Sequence, residues 1–431
     1  MVSRFIRLFG FVLLASSTVL HAEKPNLWIY TDMSDPRVQR SGGHPYNDPD
    51  DICTLAALLL EANRFNIEAV VYKSNHRKGL GPDTDFVSNI FADAYAHDQP
   101  HLDAALGGYQ PEINFIRSSL RRTDPTERFD ANGDYVDLSD LPTVQALVDY
   151  ATENPVYVLL WGPVTEGAIA AKHCLTTGND AALENMTFIA HWTRSYIAQG
   201  TPEAPHRVAN CNDDAVACQW FHDVAGRNRQ VKYDELGSIG QTGIVNGSAG
   251  YPHFADFRKS RLGQIFVHAK NYGGKPDQSD GATFWVLIEE LGPTLDDLTT
   301  DGTFSQAREE NARDKFLADG HAILDDLRLR SAAAAMAGNP FSPAIILEHF
   351  TYVYQFIRGN YGMHLPLPAT VTIQSPNGAV LHSADYAPGS HDFAFMQNQP
   401  VGDYPVTITH LDITRQFKLT VFPGGKAPRD W

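Results

Sequence analysis

Four cysteines among 431 residues are too few for a disulfide framework, and no two of them form a CxxC pair. Cys211 and Cys218 are the nearest two; if the segment between them is helical they lie about 10 Å apart, beyond disulfide reach. Buried thiols and no zinc site are therefore expected. Basic residues are also scarce: 34 Lys and Arg face 51 Asp and Glu, the net charge is −17, and no Lys/Arg block occurs. That excludes the basic stripe by which proteins grip a nucleic-acid backbone. No uninterrupted apolar run reaches about 18 residues, so no permanent membrane span is expected. Internal repeats and low-complexity segments are missing too.

What is present begins with an export pattern in residues 1–22. Arg4 and Arg7 precede the apolar run FGFVLLASSTVL, and Leu20-His21-Ala22 ends on a small residue suited to cleavage. A secreted or periplasmic chain starting near Glu23 is the expectation. Losing Arg4 and Arg7 makes that chain more acidic still. Most surface carboxylates serve solubility, yet the excess also suits calcium, which takes hard oxygen ligands. At 43% hydrophobic residues the chain can bury a large core without staples.

Strand and helix signals alternate along most of the chain. NLWIY (26–30), IEAVVY (67–72), VYVLLWG (156–162) and MTFIAHW (186–192) are continuous apolar runs, as in sheets covered on both faces. Helical stretches stand between them at 52–62, 143–151 and 165–175. This predicts an α/β domain over 23–362 with a mostly parallel sheet flanked by helices. After LPLPAT (365–370) the pattern changes to short alternating segments separated by Pro-Asn-Gly, Pro-Gly and Gly-Asp turns, which predicts a small antiparallel, sandwich-like β unit over 363–431. In parallel sheets ligands bind beyond the carboxyl ends of the strands, so the residues just after each run are where chemistry is expected.

Aspartates stand in those places. Asp32 closes the first strand, and Asn47-Asp48-Pro49-Asp50-Asp51 opens the first core helix. Helix capping accounts for Asp50 or Asp51 alone. It does not account for three acids within four positions plus Asp32, a cluster that repels itself unless a cation offsets it.

These residues resemble the calcium-dependent nucleoside hydrolases, and more closely the exported bacterial nucleoside-hydrolase-like proteins with a C-terminal β domain. Asp32 matches the single aspartate after the family's first strand, and Asp50-Asp51 matches the pair that opens its helix. LLWGPVTEGAIAA (159–171) is similar to a strand–glycine–helix element whose carbonyl before the glycine binds calcium, a place held by Trp161. ANCNDDAVA (209–217) is similar to the loop carrying a ribose-binding asparagine, here Asn210, and SDGATFWVLI (279–288) to the segment with the last metal-binding aspartate, here Asp280. The resemblance, over roughly residues 25–300, implies a Ca2+ ion on Asp51, Asp280 and the Trp161 carbonyl. It implies Asp32 as general base, and Asp50 and Asn210 as ligands of the sugar hydroxyls.

The chain departs from that pattern in three places. Tyr30 stands where the enzymes carry an earlier aspartate, residues 33–49 replace a tight turn, and Ser279 replaces the histidine that one subgroup uses as acid. The inserted loop 33–47, with Gly42-Gly43 as hinge, is expected to act as a lid. His44 and His191, beside Trp192, are candidate acids, each weighed against an ordinary loop or core role. Trp161, Trp192 and Trp285 are read as core filler. The function expected is hydrolysis of N-glycosidic bonds in a small-molecule riboside. The alternative is a non-catalytic, exported sugar- or polysaccharide-binding protein on the same scaffold.

Overall fold

A computed structural model describes residues 24–38, 45, 49–74, 84–120, 129–228, 230–298, 304–355 and 361–423. The expected export segment 1–22, most of the expected lid with Gly42-Gly43, and His44 lie outside the described residues.

Six parallel strands form the main sheet: β1 (Asn26–Thr31), β2 (Asn66–Tyr72), β3 (Phe115–Arg117), β4 (Val156–Trp161), β5 (Met186–Ala190) and β6 (Lys232–Glu235), in the order β3-β2-β1-β4-β5-β6. Although β1 is an unbroken apolar and aromatic run from Leu27 to Tyr30, its side chains alternate between two cores. Leu27 and Ile29 pack on one face with the helix Asp50–Leu60, and Trp28 and Tyr30 on the other with the helix Thr165–Thr177. A sheet covered on both faces needs this kind of run, because neither set of alternate positions can be polar.

The helix Asp50–Leu60 is buried from Asp51 to Leu60. It lies between the sheet and a layer containing Arg261–His268 and the 29-residue helix Gln306–Ala334. A helix enclosed on all sides has an apolar circumference rather than an amphipathic stripe. Each of its buried leucines contributes roughly 1.5–3 kcal/mol. No helix among the described residues is long and apolar enough to cross a membrane.

A short hairpin, β7 (Asn271–Tyr272) and β8 (Lys275–Pro276), leads toward the C-terminal β unit. That unit comprises β9 (Tyr352–Gln355), β10 (Tyr361–Leu365), β11 (Ala369–Gln374), β12 (Val380–Tyr386), β13 (Gly389–Asp392), β14 (Gly402–His410) and β15 (Ile413–Val421), all paired antiparallel. They form two sheets, β13-β10-β9 and β12-β11-β14-β15, around a core that includes Val353, Met363, Val371, Val406 and Leu419. A boundary at 363 therefore falls inside β10, and the unit recruits β9 as well. His364 Nε2 lies 2.8 Å from the His268 carbonyl, and Ser390 donates to the Asn271 carbonyl at 3.0 Å, which joins the unit to the α/β domain.

Cys211 and Cys218 form a disulfide with Cα atoms 5.3 Å apart, contrary to the thiols expected for them. The intervening segment is not one helix. Asp214, at φ −139° and ψ 78°, separates Ala209–Asp213 from Ala215–Ala225 and caps the second helix by accepting the Ala217 amide. The break folds the two cysteines together. Cys53 and Cys174 are buried free thiols.

Candidate functional site

The strand order reverses between β1 and β4, and the site lies at their carboxyl ends. Thr31 and Trp161 are register partners, and one residue further on the Asp32 amide donates to the Trp161 carbonyl at 3.1 Å. That bond fixes the backbone of the expected base to the expected metal-binding carbonyl, using one of the carbonyl's two lone pairs. Gly162 follows at φ +119°, and a Cβ there would lie 3.0 Å from Asp32 Cγ. Glycine is needed both for the backbone conformation and for the approach of the carboxyl group.

Asp50 and Asp51 open their helix from behind Pro49, which caps it without a side-chain hydrogen bond. Asp50 Oδ1 accepts the Asp51 amide at 3.2 Å, so part of Asp50 does serve the helix end. Its Oδ2 faces away, 3.4 Å from the Ser279 hydroxyl and 3.7 Å from Lys270 Nζ. Asp51 is buried; its Oδ1 accepts the Thr31 hydroxyl at 2.6 Å, and its carboxyl is hydrogen-bonded to that of Asp32. Asp280 arrives on the turn Ser279–Gly281, and its carbonyl accepts the Thr283 hydroxyl, which also accepts Trp161 Nε1 at 2.6 Å. One carboxylate oxygen from each of Asp50, Asp51 and Asp280 lies within 4.8 Å of the others.

The electrostatics follow from this crowding. Burial first, then Asp280, Asp32 and Asp50, hold the Asp51 carboxyl well above the usual carboxylate range. Burial, then Asp50, Asp32 and Asp277, do the same to Asp280, against a smaller opposing effect of Lys270. Each charge costs more in the presence of the others. A divalent cation is the chemistry that relieves such a set, and oxygen-only donors suit calcium or magnesium rather than zinc.

Asn210 sits in the first turn of Ala209–Asp213 and donates to the His191 carbonyl at 3.0 Å. It reaches the cluster through that residue, since His191 Nε2 lies 3.8 Å from Asp280 Oδ1. Burial, with Lys270 adding, pulls the His191 imidazole down to about 3. The tryptophans keep their core role. Trp161 and Trp285 are buried, the latter donating to Gln278, and the partly buried Trp192 donates to the Ala198 carbonyl.

Lys270 and Asp277 were not expected at the site. Asp277 Oδ2 holds Lys270 Nζ at 2.9 Å, and the Lys270 backbone exchanges hydrogen bonds with Cys53 Sγ at 3.2 and 3.3 Å, pinning the lysine to the aspartate helix. Neither residue stands in a recognisable motif; proximity to Asp280 in the sequence is the one signal that could have drawn attention to Asp277.

Of the loop after Asp32, the described part is anchored. Asp35 pairs with Arg37 at 2.8 Å, and Arg37 reaches Glu348 at 3.5 Å, which in turn pairs with Arg415 of β15 at 2.7 Å. The loop's first turn is thereby connected to the β unit.

Residues 44–197 match the family described as cellulose-binding Sde182, nucleoside hydrolase-like domain. The matched span contains Asp50, Asp51 and Trp161, with Asp32 before it and Asn210 and Asp280 beyond it. No curated protein and no solved structure matches the chain.

Proposed function

We propose that the nucleoside-hydrolase-like domain of this chain holds a calcium ion on Asp51, Asp280 and the Trp161 carbonyl, and hydrolyses the N-glycosidic bond of a nucleoside or related riboside. The observation that carries this reading is the meeting of Asp32, Asp50, Asp51 and Asp280, from distant parts of the sequence, where the strand order reverses. When bound, the ion supplies Lewis acidity that lowers the pKa of a coordinated water.

The residues of the chain do the rest. Asp32, fixed through its amide and the Gly162 backbone, takes the proton of the attacking water as general base. Asp50 and Asn210 orient ribose hydroxyls, and the surrounding carboxylates favour the cationic character that the sugar develops as the bond to the base breaks. No histidine precedes Asp280, and His191 is held neutral. Ribosides whose leaving groups need no proton are therefore the best substrates. The disulfide and the N-terminal segment both suit work in an oxidising, secreted or periplasmic setting.

One observation favours a second reading, a sugar-binding protein without turnover: the Lys270 ammonium stands against Asp50, one of the groups meant for the sugar. This accords with the cellulose-binding description of the matched family. The deciding experiment measures ribose release from a panel of nucleosides and a nitrophenyl riboside, with and without calcium, beside calorimetric titration with the free sugar. Calcium-dependent release that falls about 10²–10⁴-fold in Asp32→Asn supports hydrolysis. Calcium-dependent sugar binding, with no release even from the activated riboside, replaces it with the binding reading.

A further inference from the structure

A second cluster of donor atoms stands at the far edge of the main sheet. Glu235 ends β6 and is buried; His222 lies in the last turn of Ala215–Ala225, and His206 in the segment before Ala209–Asp213. His222 Nδ1 is 2.8 Å from Glu235 Oε2, and His206 Nδ1 is 3.9 Å from Oε1. The two rings face the same carboxylate with centroids 4.5 Å apart. One donor atom from each residue lies within 4.8 Å of the other two, and none of the three belongs to the aspartate cluster.

Two imidazoles and one carboxylate are a different donor set from four aspartates. Imidazole nitrogen is a borderline ligand, favoured by zinc and the other late first-row divalent ions and little used by calcium. The side chains of His206 and His222 are 22% and 23% exposed and that of Glu235 only 2%, so an ion has an entry path on one side and a dry wall on the other. Around the carboxylate, Thr193 Oγ1 donates to Oε1 at 3.3 Å and Arg194 lies 3.5 Å from Oε2. These contacts orient Glu235 as second partners commonly orient a metal-binding carboxylate. The arginine charge also opposes a cation, which places the affinity below that of closed four-ligand zinc sites.

We propose that His206, His222 and Glu235 bind a zinc-class divalent ion. The ion joins β6, the helix Ala215–Ala225 and the segment leading to Asn210. His206 Nδ1 already lies 3.3 Å from the Thr193 carbonyl, and Asn210 donates to His191 two residues earlier. The ion is therefore a clamp behind the wall of the aspartate site, and its ligands do not contact that site's carboxylates.

The test uses the full chain without reductant, so that Cys211 and Cys218 stay paired, and with excess calcium to occupy the aspartates. Zinc is titrated calorimetrically, and cobalt(II) absorption reports the ligand type. One equivalent is expected to bind with a Kd of about 1–10 µM, equivalent to roughly −7 to −8 kcal/mol. His206→Asn and His222→Asn are each expected to weaken binding at least about tenfold, leaving calcium binding unchanged, whereas Asp51→Ala leaves zinc binding intact. If His222→Asn does not fold, His206→Asn decides, since its 3.9 Å contact contributes little to the metal-free fold. The proposal is overturned if the parent binds no zinc at 100 µM, if binding survives substitution of the histidines, or if it is lost in Asp51→Ala.

Discussion

Glu309 and Asp51 are both buried carboxylates near the carboxyl edge of the main sheet, and their surroundings are opposite. Glu309, on the long helix, accepts the Ser195 hydroxyl at 2.6 Å, the Tyr196 amide at 2.7 Å, and the Ser238 amide and hydroxyl at 2.9 and 3.0 Å. Gly237 beside it, at φ +66°, leaves room for the carboxylate where a Cβ would overlap Oε1. Every lone pair that matters is used by a donor. Asp51 has one hydroxyl donor and three carboxylate neighbours. Donors around a buried acid make it part of the scaffold, whereas other acids around it leave a charge that a retained proton or an added cation has to balance.

The largest test of that contrast is removal of the acids. Asp51→Ala should weaken calcium binding by at least about 100-fold by calorimetry, since it deletes a charged ligand at the centre of the cluster. Glu309→Gln should leave calcium affinity within about twofold yet destabilise the fold by about 3 kcal/mol in urea denaturation, because a charged acceptor of four bonds becomes a neutral one. A Glu309→Gln protein that unfolds like the parent would show that the network is not structural.

A subtler test uses pH. Asp51 and Asp280 are raised above their ordinary range in the folded chain, so the metal-free folded state keeps protons that the unfolded state has released. The stability from these groups is full below about pH 4 and is lost as pH rises through the raised folded value. Metal-free Asp51→Asn should therefore gain on the parent steadily from pH 4 to 8 in denaturant titrations, and calcium should close the gap. A gap that stays constant with pH would remove the charge-crowding account. The smallest effect is expected at Lys270. Lys270→Met removes a resident positive charge beside Asp50 and should tighten calcium about fivefold, an order of magnitude set by a screened charge several ångströms away. Weaker calcium binding would instead make the lysine a support of the site.

The same contrast marks what could be read from the sequence. Long apolar runs announced β1, β2, β4 and β5, because a strand buried on both faces has no room for polar residues. The stretches at 52–62, 143–151 and 165–175 announced three of the helices between them, but the polar helix Asp93–Leu106 and the short helix Asp180–Asn185 were not anticipated. The three-residue β3 and the polar KYDE of β6 carry no such signal, and they pair at the flanks of the sheet where neighbours decide. Asp32, Asp50 and Asp51 drew notice because acids at strand and helix ends are conspicuous, whereas Asp280 entered only through the family resemblance of the segment 279–288. Lys270, Asp277 and Glu309 were not, since each is one charged residue whose partner comes from elsewhere in the chain. The Cys211–Cys218 pairing was misread for a similar reason: one residue, Asp214, breaks a helix that composition alone would continue.

The Ser279 hydroxyl meets the Asp50 carboxylate across 229 positions of sequence. The aspartate pocket is thus complete only when β1, the first core helix, β4 and the turn at 279–281 have all docked. Such a site forms late in chain collapse, after the long loops between its parts have been closed. An ion bound there acts on the lifetime of the native state more than on the speed of reaching it: calcium should slow unfolding in stopped-flow denaturation while the refolding rate stays nearly the same.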